Sequence, residues 1–249
     1  MIFLYSGTPG SGKSLHALKD IIFKLRQGGN VISNFPIKTD LIRSKKKPLG
    51  DFVFKENDEL TVSFLIDYAL KNHEKGVEAQ TLIVIDEAQS LFNPREFSRV
   101  DRKDYNYFFS LHRKLGYNII LVTQNDRLLD RQIRVQLEYE VKHRKINNFK
   151  TIGMLLPVKT FACINMWYGV RERLGTEFFC YTKKLGSYYD SYALFDLMKI
   201  QERFNISSGE EVKEEVEVVE EIKEDSKASK FKLVNWFRNF RIKFSDVKS

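Results

Sequence analysis

Three short apolar runs punctuate the first half of the chain, and each ends in polar or glycine-rich residues. They are Ile2–Tyr5, Thr81–Ile85 and Asn118–Val122. In the second run, four consecutive apolar residues, three of them β-branched, follow Thr81, the pattern of a strand covered on both faces. The third run repeats it. Between them the spacing becomes helical, over Leu15–Leu25, Leu60–Lys75 and Tyr105–Leu115, with Leu60, Phe64, Leu65, Tyr68 and Ala69 on one face. Gln27-Gly-Gly-Asn30 reads as a helix stop, and Val31–Phe35 as a second strand ended by Pro36. Residues 38–58 predict a loop and an edge hairpin.

From Glu138 the pattern changes. Residues 138–144 alternate, Phe161–Tyr168 and Phe178–Thr182 are aromatic and β-prone, and Gly169–Gly175 reads as a turn. The expected fold is α/β: a mainly parallel central sheet flanked by helices, an antiparallel β extension over 138–190 and a helical C-terminal tail. Tyr188, Tyr189, Tyr192 and Phe195 close the globular part, with a terminal helix over 191–208. Residues 209–225 hold nine acids and two lysines, which predicts a solvated linker. In residues 226–249, Leu233, Trp236, Phe237, Phe240 and Phe244 form one stripe flanked by Lys230, Arg241, Lys232 and Lys243. That pattern suits a helix lying in an anionic membrane surface, or one docked on a protein.

The first run leads into the chemistry. Gly7, Gly12, Lys13 and Ser14 fit G-x-x-x-x-G-K-[ST], between a predicted strand and a predicted helix, the context a phosphate-binding loop needs. The segment Gly7-Thr8-Pro9-Gly10-Ser11-Gly12-Lys13-Ser14-Leu15 is the expected nucleotide site. Its glycines permit a tight turn, and the amides of Gly10 through Ser14 form a nest for phosphate oxygens at a helix N-terminus. Lys13 is expected on the β- and γ-phosphates of ATP, and the Ser14 hydroxyl on Mg²⁺.

The other two runs supply partners. Ligands of α/β sheets bind at the carboxyl ends of strands, so Asp86 is expected to hold the Mg²⁺ and Glu87 to polarise the attacking water. Gln124, at the end of the third run, is placed to sense the γ-phosphate. A basic finger acting on a neighbouring subunit would come from Arg113, Arg127, Arg131 or Arg134; Arg113 is the first choice because it flanks the strand carrying Gln124. His112 reads as a packed helix residue.

Composition adds limits. The 249 residues suffice for one large α/β domain and an appendage, and the net charge of +8 favours nucleic acid or anionic lipid as neighbours without choosing between them. Cys163 and Cys180 lie in apolar runs with no disulfide framework or zinc spacing, and read as core thiols of a reducing, cytosolic compartment. The N-terminal run lacks a charged n-region, so it is not read as a signal peptide. No window of about 18 uncharged apolar residues exists. Lys45-Lys-Lys47 reads as a solvated loop. No Asn-Lys-x-Asp segment supports guanine specificity.

With these segments placed, the chain resembles the Zot (zonular occludens toxin) N-terminal domain family. That family includes filamentous-phage assembly ATPases of the gene I product type, in the FtsK/HerA-like branch of P-loop ATPases. The resemblance covers about residues 1–190. It rests on Gly7-Thr-Pro-Gly-Ser-Gly-Lys-Ser14, Ile85-Asp-Glu-Ala-Gln89 and Leu111-His-Arg-Lys-Leu-Gly-Tyr-Asn-Ile-Ile-Leu-Val-Thr-Gln124. It implies an ATP- and Mg²⁺-dependent motor for virion extrusion or single-stranded DNA export. The implied partners are further copies in a ring, phage coat or envelope assembly proteins, single-stranded DNA, and the inner face of the cytoplasmic membrane. Family members usually carry a transmembrane helix after the ATPase domain, and no apolar run here matches it. Toxin activity is not implied, because the ATPase domain does not carry it. The competing readings are a DNA-packaging or DNA-transfer ATPase, and a nucleotide-dependent scaffold or switch with little turnover. Glu87 opposes the last, since a pure binder has no use for a water-orienting acid.

Overall fold

A computed structural model describes residues 1–44, 48–94, 99–148 and 157–189. They belong to one compact unit, Met1–Leu194. The expected terminal helix, acidic linker and basic amphipathic segment, like Lys45–Lys47, lie outside the described residues.

Among the described residues, eight strands form one sheet in the order β3-β2-β4-β5-β1-β6-β7-β8. They are β1 (Ile2–Ser6), β2 (Asn30–Ser33), β3 (Phe52–Phe54), β4 (Thr81–Ile85), β5 (Tyr117–Val122), β6 (Tyr139–Lys145), β7 (Thr160–Trp167) and β8 (Glu172–Cys180). The first six run parallel; β7 and β8 are antiparallel. The helices of this region are α1 (Lys13–Arg26), α2 (Val62–Asn72), α3 (Arg99–Leu111), α4 (Arg131–Arg134) and α5 (Lys183–Ser187).

Strand alternation divides the core into two layers. Ile2, Leu4, Ile32, Ile83, Ile85, Ile119 and Leu121 pack under α2, α3 and α4 with Phe92, Phe108 and Phe109. Tyr5, Val31, Leu82, Val84, Ile120, Val122 and Val141 pack under α1 against Ala17, Leu18, Ile21, Ile22 and Leu25. Residues one apart in a strand point to opposite faces, so fully apolar runs serve both layers at once. Burying one such aliphatic side chain contributes about 1.5–3 kcal/mol.

Helix ends follow their local chemistry. Thr61 caps α2 by accepting from the Phe64 N–H at 3.2 Å, and Asp130 caps α4 by accepting from the Gln132 N–H at 2.8 Å. Gly28, at φ +81°, ends α1 in the left-handed conformation that glycine adopts without strain.

Several boundaries differ from expectation. Residues 52–54 form a parallel edge strand on β2 rather than half of a hairpin, with Phe52, Val53 and Phe54 opposite Val31, Ile32 and Ser33. Residues 139–145 form the sixth parallel strand, so the antiparallel part starts from its outer edge. The turn between β7 and β8 is only Tyr168–Arg171, and β8 takes in residues 172–175. Helix α3 begins at Arg99, six residues before the expected start. Cys163 is buried as expected, but Cys180 is exposed, because it ends an edge strand.

Candidate nucleotide site

The glycine loop leaves the carboxyl end of β1 and runs directly into α1. Gly7, Gly10 and Gly12 all hold positive φ, at +144°, +69° and +95°. Two of them are also crowded. A Cβ at Gly7 would stand 2.6 Å from the His143 carbonyl oxygen, and one at Gly12 would stand 2.6 Å from the Phe161 ring. The loop is therefore seated on β6 and β7, and only glycine fits both conformation and space. Ser11 is buried and its Oγ has no protein partner. Lys13 is buried at the start of α1, with Nζ donating to the Thr8 carbonyl at 3.2 Å. Desolvation lowers the Lys13 pKa, while Glu87 and Asp86 oppose that shift.

Strand β4 brings the acid pair to the same edge. Burial raises the Asp86 carboxyl above its ordinary range; the nearby Ser14 hydroxyl and the Glu87 N–H, which donates to Asp86 Oδ1 at 3.0 Å, act in the other direction. Ser14 and Asp86 are thus adjacent, a set of hard oxygen donors of the kind Mg²⁺ prefers. Glu87 is exposed and non-glycine at φ +47°, a conformation that costs on the order of 1 kcal/mol or more and collects at functional sites. Its Oε2 accepts from Gln89 Nε2, and its carbonyl accepts from the Ser90 hydroxyl at 2.8 Å. The turn is held by its own side chains.

Strand β5 lies between β1 and β4 and completes the edge. The Gln124 carbonyl accepts from the Gly7 N–H at 3.3 Å, and the buried Thr123 N–H donates to the Tyr5 carbonyl at 2.9 Å. Gln124 itself is exposed beside the loop. A cavity of about 410 Å³ adjoins it, lined among others by Gly7, Thr8, Gln124, Arg127, Lys142 and Tyr168.

Lys13, Ser14, Asp86, Glu87 and Gln124, with the loop residues Thr8, Pro9 and Leu15 around them, are brought to one carboxyl edge. Arg113 is not. It precedes β5, at the amino edge, and pairs there with Glu138, which also receives the Ile2 N–H at 3.1 Å. Six residues of β5, roughly 20 Å of strand, separate the two ends. Arg113 flanks the strand as expected but at the end remote from its own chain's loop. His112 is buried against its own helix, with Nδ1 at the Phe109 carbonyl.

Asn34 was missed in the sequence. Its Oδ1 accepts from the Asp86 N–H at 2.7 Å, and its Nδ2 donates to the Asp86 carbonyl at 2.8 Å and to Asn57 Oδ1 at 2.8 Å. Asn57 in turn donates to Ser90 Oγ at 2.9 Å. The sequence places Asn34 inside the expected strand Val31–Phe35, and only the pairing of β2 with β4 reveals its partner. Among the described residues, no helix is long and apolar enough to cross a membrane.

The chain is similar to several known proteins. The chain is 30% identical over 161 residues to the Gene 1 protein of Enterobacteria phage I2-2, covering 63% of this chain and 44% of that protein. It is 29% identical over 167 residues to the Gene 1 protein of Escherichia phage If1, covering 64% and 46%. The matches span less than half of each relative's length. Among solved structures, an ATPase domain aligns at TM-score 0.50 with 11% identity, over 76% of this chain and 84% of that one, a likeness of fold. The N-terminal domain of zonular occludens toxin from Neisseria meningitidis aligns at TM-score 0.42 with 19% identity, over 76% and 98%. The family model described as "Zonular occludens toxin (Zot)" matches residues 1–194, and the chain belongs to that family.

Proposed function

We propose that this protein is a magnesium-dependent ATPase that drives filamentous-phage assembly, virion extrusion or single-stranded DNA export. The observation that carries the reading is the convergence of Lys13, Ser14, Asp86, Glu87 and Gln124 on one sheet edge. Family membership and the Gene 1 relatives support the phage setting.

The residues fit the nucleotide and its metal: three glycines at positive φ, a buried Ser11 hydroxyl without a protein partner, and the Ser14–Asp86 oxygen pair. The amides of Gly10 through Ser14 and the Lys13 ammonium would hold the phosphates, and Ser14 and Asp86 would hold Mg²⁺. The metal, when bound, supplies neutralisation of charge on the β- and γ-oxygens. Glu87 accepts the proton of the attacking water. Gln124, tied to the loop through its carbonyl, orients the γ-phosphate side. Arg113 lies too far from its own chain's loop to serve it. A finger role for Arg113 would therefore be toward the nucleotide of a neighbour in a ring of copies.

A DNA-packaging or DNA-transfer ATPase is the second reading. The cavity beside the loop favours it, since Arg127, Lys142, Arg144 and Arg171 meet Trp167 and Tyr168 there, cations and rings suited to a single strand. The amphipathic stripe in residues 226–249 supports attachment to the inner face of the cytoplasmic membrane, where coat or envelope assembly proteins would be met. Phosphate release measured with ATP, Mg²⁺ and graded single-stranded DNA tests the reading. Turnover that requires Mg²⁺ supports the ATPase; strong stimulation by DNA in the absence of membranes favours packaging. No turnover under any of these conditions overturns both.

A further inference from the structure

Behind the glycine loop, His16 on α1, His143 on β6 and Cys163 on β7 converge, all buried. His16 Nδ1 lies 2.9 Å from His143 Nε2 and 3.5 Å from Cys163 Sγ. Among the described residues, these three offer ligand atoms all within 4.8 Å of one another. Tetrahedral bonds of about 2.0–2.1 Å to nitrogen and about 2.3 Å to sulfur place neighbouring ligand atoms roughly 3.3–3.6 Å apart. The two distances from His16, 2.9 and 3.5 Å, stand near that spacing, and the third pair lies within 4.8 Å.

The outer faces of the two imidazoles are also arranged. His143 Nδ1 is 3.2 Å from the Ser6 carbonyl, so it carries the proton there and turns the Nε2 lone pair inward. His16 Nε2 is 3.8 Å from the Asp20 carboxylate. The His16 ring is stacked between Tyr5 and Phe179, at 4.9 and 5.2 Å. The carbonyl behind His143 is the support that metal-bound histidines carry, and Asp20, whose Oδ2 accepts from the Tyr5 hydroxyl at 2.5 Å, stands within reach behind His16. With the His143 proton held at Nδ1, its Nε2 accepts from the His16 Nδ1–H at 2.9 Å in the free protein, and a cation between the rings replaces that single proton. Burial keeps both rings neutral, with His16 pushed down to about 4 and His143 to about 3, and neutral imidazole is the form that ligates. His16, Asp20 and Glu177 line a cavity of about 620 Å³, which gives the cluster its access to solvent on the His16 side.

We propose that His16, His143 and Cys163 bind one zinc-class divalent ion, with Asp20 orienting His16 and water completing the shell from the cavity. Two imidazoles and a thiolate select such a metal over Mg²⁺, which belongs with the oxygen donors Ser14 and Asp86. The site is structural. His16 is two residues beyond Ser14, and the His143 carbonyl abuts Gly7, so the ion ties the phosphate loop to β6 and β7. A bound ion also reverses the local electrostatics of Cys163, whose thiol burial pushes up to about 12 in the metal-free protein.

The test is an anaerobic titration of the chelator-treated full chain with Co²⁺, followed by displacement with Zn²⁺. The proposal expects one ion per chain and an intense thiolate-to-cobalt absorption. That band is lost in Cys163→Ser, kept in Cys180→Ser, and seen at about 10–100-fold weaker affinity in Asp20→Asn. A folded wild-type chain with no such band, or a band that survives Cys163→Ser, overturns it. X-ray absorption of the zinc-loaded wild type needs no variant. One sulfur and two imidazoles at the metal support the site, and a shell without sulfur overturns it.

Discussion

Asn34 grips the peptide of Asp86 from both sides, accepting from its N–H at 2.7 Å and donating to its carbonyl at 2.8 Å. The amide of one strand end thus fixes where the next strand end releases its acid pair. Asp86 sits over Ser14, and Glu87 takes its left-handed turn, from that fixed point. Asn34→Leu removes the grip at similar volume and leaves two half-buried backbone groups unpaired. The expected costs are about 1–3 kcal/mol of stability and a fall in turnover larger than the change in ATP affinity. Denaturant unfolding and steady-state kinetics read the two quantities separately.

Gly12 and Gly10 differ in a way that predicts opposite outcomes. Both hold positive φ, but a Cβ at Gly12 meets Phe161 at 2.6 Å, whereas one at Gly10 meets nothing within 4 Å. Gly12→Ala is expected to abolish nucleotide binding and lower stability. Gly10→Ala carries only the backbone cost, about 1 kcal/mol, and retains weaker binding. Titration with a fluorescent ATP analogue distinguishes them.

Phe161 is buried on β7, stacked on Phe179 at 5.1 Å and in contact distance of the Gly12 position. Phe161→Ala should cost about 3–5 kcal/mol and weaken ATP binding without touching any group that meets the phosphates. Calorimetric unfolding and nucleotide titration check this. Unchanged affinity would mean that the antiparallel strands do not support the loop.

Arg113 serves a neighbour in the proposed mechanism, so turnover per chain should rise with protein concentration. Arg113→Ala should lose roughly 10³-fold in turnover, the scale of a finger residue. It should lose little stability, since its pair with Glu138 is half-exposed. Mixing Arg113→Ala with Lys13→Ala should restore part of the activity, because mixed neighbours combine an intact loop with an intact finger. Mixtures no more active than the separate variants would remove the shared site.

The local parts of this site were legible in the sequence because each is a contiguous signal: a glycine loop between strand and helix, or an apolar run ending in acids. Element type followed from the same periodicities. What was not legible depends on which strands become neighbours. Asn34 meets Asp86 across 52 positions of chain, and nothing local marks that pairing. The parallel register of residues 139–145 depends on β1, and the run's own alternation suits either direction. The end of β5 at which Arg113 stands decides its role, and flanking a strand in sequence does not specify an end. His16, His143 and Cys163 are too widely spaced for any metal motif, and only the stacking of α1 on β6 and β7 gathers them.

Glu87→Gln tests the central claim most directly, because it keeps the size of the side chain at its left-handed turn and removes only the charge. ATP binding should stay within a few-fold of wild type, while single-turnover hydrolysis falls at least roughly 100-fold, the scale for losing a positioned base. Hydrolysis at the wild-type rate, or loss of binding together with normal residual turnover, would contradict the assignment of Glu87 as the group that activates water.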